Sequence, residues 1–191
     1  AAKVTNNNSL TIVNSVTSAT TSTLIEGTGS VLVNGSQKVT ITGSNTYTGG
    51  TRLASDVGIV KLWDGTVGSL GSGGITASGA DGRIFWDGPE TTITFDTPVN
   101  TGNLATERLG FAGTGKTYVL TGLVSGSGWL RASSGAVLDL RQQTASTNTN
   151  VGGVEIGNAT VLANGDANLS GGAINFTGTA SVLDLGASGT L

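Results

Sequence analysis

The chain has no cysteine, no histidine and no methionine. Without cysteine there is no disulfide and no thiolate metal site. Without histidine the usual Ser-His-Asp triad is excluded, because its general base is missing. Without methionine, residue 1 is not a translation start. The chain is expected to be a processed product or an excised fragment, and Ala1-Ala2 would suit a site left after signal cleavage. Proline occurs twice, at Pro89 and Pro98, and charged residues make up only 11% of 191 positions. Nine basic and twelve acidic side chains give a net charge of −3, so the basic patch that drives nucleic-acid binding is missing. No apolar run reaches the ~18 residues of a membrane-spanning helix.

Glycine, by contrast, fills 32 positions in a background rich in Thr, Ser and Asn. Such a composition could mark disorder, but disorder needs low hydrophobicity and high net charge. Here 37% of residues are hydrophobic, and they come in short runs at 10–13, 31–33 and 137–140. The chain therefore folds, and does so without long helices.

The runs recur. Val39-Thr40-Ile41-Thr42-Gly43, Val60-Lys61-Leu62-Trp63-Asp64-Gly65 and Ile84-Phe85-Trp86-Asp87-Gly88 close on nearly evenly spaced glycines. Val161-Leu162-Ala163-Asn164-Gly165 and Val182-Leu183-Asp184-Leu185-Gly186 close at almost the same interval. A period of ~20–25 residues with β-branched runs and turn punctuation marks a solenoid, whose coils stack because none can bury its inward face alone. Alternation supplies that face: in Val39-Thr40-Ile41-Thr42 the apolar residues point one way and the threonines the other. Proline is scarce because it cannot donate to a ladder running through every coil. About eight coils at ~4.8 Å give a rod of roughly 40 Å.

A longer repeat overlies the short one. At an offset of 99, Leu10 falls on Leu109, Leu24-Ile25-Glu26-Gly27-Thr28-Gly29 on Leu123-Val124-Ser125-Gly126-Ser127-Gly128, and Leu70-Gly71-Ser72-Gly73 on Leu169-Ser170-Gly171-Gly172. The corner Gly43-Ser44-Asn45-Thr46-Tyr47-Thr48-Gly49-Gly50-Thr51 reappears, four residues further on, as Asn148-Thr149-Asn150-Val151-Gly152-Gly153-Val154. The expected organisation is one domain over residues 1–191, made of two divergent repeats of about 99 residues, at about 1–99 and 100–191. The expected place of Gly43, Asn45, Tyr47, Gly49, Gly50, Gly152 and Gly153 is a structural corner that the solenoid needs at a set position. Tyr47 reads there as an optional ornament, since Asn150 replaces it.

The first of these corners resembles the N-x-Y-x-G-G-T signature of the passenger-associated repeat of autotransporter passengers, which are secreted bacterial β-solenoids. The resemblance covers residues 27–74 most strongly and 126–172 more faintly. It includes Gly27-Thr28-Gly29-Ser30-Val31 before the corner and Leu70-Gly71-Ser72-Gly73-Gly74-Ile75-Thr76 after it. Two departures, no Lys near Val33 and no further Gly near Gln37, mark a divergent member. The resemblance implies a right-handed parallel β-helix displayed outside a bacterial cell. It implies no single activity, since passengers include adhesins, proteases, esterases and plain stalks.

Several stretches invite chemical readings. Gly110-Phe111-Ala112-Gly113-Thr114-Gly115-Lys116-Thr117 satisfies G-x-x-x-x-G-K-[ST], but a phosphate loop must open a helix. Here the strand-like Tyr118-Val119-Leu120-Thr121 follows, so no nucleotide is expected. Asp64 and Asp87 occupy matching W-D-G corners and would suit turn capping before a Ca²⁺ or sugar-cleaving role. Trp63 and Trp86, one short period apart, would stack on neighbouring coils. Facing outward they would contact glycans, and facing inward they would pack the core. The Asn6-Asn7-Asn8 run reads as a solvated corner. No catalytic, cofactor or metal residue is assigned.

The function expected from this reading is an extracellular structural or adhesive β-solenoid without catalytic activity, either a cell-surface stalk or a head-to-tail fibre subunit. The competing reading is a carbohydrate-binding or carbohydrate-cleaving β-helix of the passenger type. An ice-binding solenoid would need regular T-x-T motifs, and those at 40–42, 46–48 and 92–94 are irregularly spaced. The expected partners are copies of the chain end to end, or adjoining repeats of a longer chain, with surface glycans as the ligand class.

Overall fold

The computed structural model describes residues 2–54, 59–62, 70–86, 88–144, 146–150, 152–169 and 172–186. The chain winds through short strands in a fixed order of three faces. It begins with β1 (Lys3–Thr5), β2 (Ser9–Asn14), β3 (Ala19–Thr21), β4 (Leu24–Glu26), β5 (Ser30–Gly35) and β6 (Val39–Ile41). It continues through β7 (Thr51–Ala54), β8 (Ile59–Leu62), β9 (Ile75–Ser78), β10 (Gly82–Trp86), β11 (Thr92–Phe95), β12 (Val99–Asn100), β13 (Arg108–Ala112) and β14 (Thr117–Leu120). It ends with β15 (Val124–Ser125), β16 (Trp129–Ser133), β17 (Val137–Asp139), β18 (Val154–Gly157), β19 (Thr160–Leu162), one helical turn α1 (Asp166–Leu169), β20 (Ile174–Phe176) and β21 (Val182–Asp184).

Among the described residues the strands pair in parallel, each with its counterpart on the coils above and below. The first face is β2-β5-β7-β9-β12-β15, and the second is β3-β6-β8-β10-β13-β16-β18-β20. The third carries β11-β14-β17-β19-β21, and the pair β1-β4 takes its place in the early coils. The fold is therefore a parallel β-solenoid of about seven turns.

Alternation builds the core as the sequence pattern requires. In β10 the side chains of Ile84 and Trp86 are buried while Arg83 and Phe85 are partly exposed. In β7, Thr51 and Leu53 are buried and Arg52 is exposed. Each inward position sits on its counterpart one coil away, so Leu10, Val31, Thr51, Ile75, Val99 and Val124 form one column. Burying each such aliphatic side chain contributes roughly 1.5–3 kcal/mol, which is what holds coil to coil. In the middle coils the core becomes aromatic. Phe95, Phe111 and Tyr118 pack with ring centroids 5.2–6.2 Å apart. The Tyr118 hydroxyl donates to Ala112 O (2.7 Å) and accepts from Trp86 N (3.0 Å).

Coil length is uneven. Ala19 pairs with Val39 and Val39 with Val60, two short steps, whereas Ile84 pairs with Phe111, a distinctly longer one. The long step contains the loop at 101–107, which bulges from the edge between the first and second faces.

The long sequence offset has a geometric meaning that the alignment does not show. From Val31, four pairings lead through Thr51, Ile75 and Val99 to Val124 on the same face. Leu130, which falls on Val31 at that offset, lies one face further on, in β16. Leu10 and Leu109 are displaced in the same way, from β2 to β13. The offset is thus four coils plus one face. The corner at 43–51 leads into the first face and the corner at 148–154 into the second. The expectation of a set position is corrected: the same turn is built at two different edges.

Candidate functional site: a polar groove beside the first corner

The corner at 43–51 holds its coil against the one before it. The Asn45 side-chain oxygen accepts from Ile25 N (2.7 Å), and Thr46 N and Thr48 N donate to Ile25 O and Gly27 O. Gly43 and Gly49 have no room for a Cβ, which would lie 2.6 Å from Thr23 O and 2.5 Å from Gly29 C. Gly50 adopts φ +80°, which L side chains rarely take. The second corner repeats the scheme. Thr149 N donates to Val124 O, and Gly152 and Gly153 pass so close to the neighbouring coils that a Cβ would lie 2.0 Å from Gly128 O and 2.1 Å from Ala173 O.

Tyr47 is not an ornament, which corrects the sequence reading. It is fully buried, and its hydroxyl lies 2.5 Å from Thr51 Oγ1, which in turn donates to Leu70 O (2.7 Å). Because a carbonyl only accepts, the Thr51 proton is committed to Leu70, and Tyr47 donates to Thr51. Burial pushes the Tyr47 phenol up to about 12. In the Asn6-Asn7-Asn8 run, Asn7 and Asn8 are exposed as expected of a solvated corner, but Asn6 is not. Asn6 is buried and its amide donates to Ser30 O (2.8 Å), while Asn7 Oδ1 accepts from Thr28 N (3.3 Å). A buried amide such as that of Asn6, which satisfies neighbouring backbone, looks solvated in sequence because its type is polar.

Beside the first corner lies an open groove of about 370 Å³. Its floor is outward-facing sheet: Arg52 on β7, Thr76 and Ser78 on β9, and Asn100 on β12. Arg52 pairs in register with Thr76, and Thr76 with Asn100. One wall is the bare backbone of Gly49, Gly50 and Gly73, and the other is Asn103 and Glu107 from the 101–107 loop. That loop is pinned from within. Glu107 accepts from Asn103 N (2.5 Å) and Leu104 N (2.8 Å), and Asn100 Oδ1 accepts from Gly102 N (2.8 Å). The Asn100 amide is further tied to Ser125 Oγ (3.2 Å).

A second polar cluster covers the outer surface of the second face. Arg83 binds Asp81, and Arg131, two coils away, reaches the same Asp81 carboxylate at 3.1 Å. Glu155 lies 2.9 Å from Arg131 Nε and 3.1 Å from Arg108 Nε. The Arg131–Asp81 contact skips a coil, and Gly110, in register between Arg83 and Arg131, has no side chain to intervene, whereas Arg131 and Glu155 are register partners on adjacent coils. Burial works to raise the Asp81 carboxyl, but the Arg83 hydrogen bond and the Arg83 and Arg131 charges more than offset it and hold it below its usual range. Asp139 is lowered in turn by its hydrogen bonds from Arg141.

Trp86 faces inward and is 3% exposed, with its indole N–H on Glu90 Oε2 (3.0 Å), so it has no face to offer a sugar ring. Trp63, Asp64 and Asp87 lie outside the described residues. The G-x-x-x-x-G-K-T stretch is strand, tight turn and strand. Lys116 Nζ donates to Gly88 O (2.6 Å) and Glu90 O (2.7 Å) on the preceding coil, so it fastens a turn. The groove residues were missed by sequence reading. Their signal was the equal spacing of Arg52, Thr76 and Asn100 along the chain, which the glycine spacings obscure.

The fold defines a class, the parallel β-solenoids. No family model, curated protein or solved structure matches the chain.

Proposed function

We propose that the chain is an extracellular structural or adhesive solenoid of a bacterial surface, serving as a stalk or a segment of a fibre. The observation that carries this reading is the use made of its few charges. Arg83, Asp81, Arg108, Arg131 and Glu155 bind one another across four coils, and Lys116 and the Lys3–Glu26 pair (2.9 Å) also join neighbouring coils. Side chains that would serve catalysis elsewhere serve here to keep a rod in register. The resemblance of 43–51 to the passenger-associated repeat supports display outside the cell, and it assigns no reaction to the chain.

The end strands support the lengthwise partner. β2 and β3 at one end, and β20 and β21 at the other, have a strand neighbour on one side only among the described residues. Val13, Val16, Phe176 and Val182 are exposed there. Further coils, from the same chain or from a second copy, would continue these ladders. Two measurements test the reading. Antibody against the solenoid should label intact cells carrying the full reading frame, and label seen only after lysis overturns the surface assignment. Micrographs of the purified chain at high concentration should show rods longer than one molecule, whereas dispersed monomers remove the fibre form.

A further inference from the structure

We propose that the groove beside the first corner binds an acidic saccharide, with Arg52 taking its carboxylate. The inference gives the adhesive side of the proposed function a ligand class and rests on that reading. Its central observation is the state of the arginines. Arg83, Arg108, Arg131 and Arg141 each hold a carboxylate of the chain itself. Arg52 has no ion-pair or hydrogen-bond partner among the described residues, and it is exposed at the floor of the groove. The planar guanidinium fork matches a carboxylate bidentately. Its surroundings leave that fork accessible, because Gly49, Gly50 and Gly73 present backbone without side chains.

The rest of the lining suits hydroxyls. Thr76 supplies a hydroxyl and Asn103 an amide, each able to donate and accept, and Glu107 is held in place as an acceptor by the loop backbone. Arg52 and Thr76 stand one coil apart, ~4.8 Å along the rod, so an extended chain of sugar rings lying along the axis meets a polar side chain at each coil. An acidic peptide fits less well. β7 lies between β5 and β9, and β9 between β7 and β12, so the groove offers no free strand edge to pair with a peptide backbone.

Titration calorimetry of the intact chain with a galacturonic acid trisaccharide, an uncharged galactose trisaccharide and a Glu-rich peptide tests the assignment. The acidic trisaccharide should bind, and Arg52→Ala should weaken it by about tenfold or more through loss of a charge-assisted fork. Arg52→Lys should retain part of the affinity, and Asn103→Ala should weaken it less than Arg52→Ala does. The melting temperature of Arg52→Ala should match the parent, since no internal contact is lost. The proposal is overturned by absence of binding to the acidic trisaccharide, by equal affinity for the uncharged one, by unchanged affinity in Arg52→Ala, or by preference for the peptide. Surface display, read by antibody on intact cells, can stand while this binding fails.

Discussion

At residues 43–51 the chain turns around a buried phenol, and at 148–154 it turns around buried amides. The two corners share backbone contacts at matching positions. Val31 N donates to Gly50 O and Leu130 N to Gly153 O, each at 3.0 Å, and the corresponding glycines Gly27 and Gly126 both take positive φ. The fillings differ. Tyr47 donates within its own corner to Thr51, which passes the contact on to Leu70 O on the next coil. Its counterpart Asn150 reaches two coils back, where its oxygen accepts from Thr101 Oγ1 (2.9 Å), while its amide donates within the corner to Gly153 O (3.0 Å). Neighbouring Asn148 reaches Asn168 O (2.6 Å) in the helical turn α1. One corner is thus filled by volume with a single polar tip, and the other by a small hydrogen-bonded network. The shared part of the device is its glycines and its carbonyl partners, and the filling adapts to the face on which the corner sits.

Exchange of the fillings should break the comparison most severely. Tyr47→Asn is expected to cost about 3–5 kcal/mol, because a buried aromatic volume is vacated and Thr51 loses its donor. Chemical denaturation checks this, and a cost below ~1 kcal/mol would mean that the two fillings are interchangeable. Next come the glycines. Gly153→Ala should cost roughly 3 kcal/mol, and more than Gly50→Ala, since its Cβ would lie 2.1 Å from Ala173 O against 2.9 Å from Gly73 O for Gly50. Equal midpoint shifts for the two variants would show that the second corner is not the tighter.

The smallest expected effect separates the corners by pH. A phenol whose folded pKa is about 12, above the unfolded value near 10, contributes stability that is present below pH 10 and lost as pH rises to 12. That difference corresponds to about 3 kcal/mol at the upper limit of the window. Tyr47→Phe removes this share of the alkaline loss and should cost only about 1 kcal/mol at neutral pH. The second corner, filled by amides, has no titrating group in its place. Parallel alkaline unfolding curves for the parent and Tyr47→Phe would show the phenol to be uninvolved.

The solenoid was legible because its signals are local. Alternation in Val39-Thr40-Ile41-Thr42, the glycine-closed period and the scarcity of proline all follow from stacking strands. The parity that places Trp86 with Ile84 is also in the sequence, and both side chains point inward. What was not legible depends on lengths. Because the coils differ in length, lateral neighbours cannot be read from one period, so the column of Arg52, Thr76 and Asn100 stayed hidden. The same uneven lengths concealed the advance of the second corner to another face. Tyr47 and Asn6 misled for a different reason. Their types fit turns, and only the coil lying against them makes them interior.

The advance by one face gives the rod a pitch of its own. If a longer array kept this spacing, each new corner would appear on the next side, and three placements would bring it back above the first. Any contact surface seated beside such a corner would then be distributed like the thread of a screw. A rod built in that way has no preferred direction of approach, and a partner arriving from any side would meet a thread within a short travel along the axis.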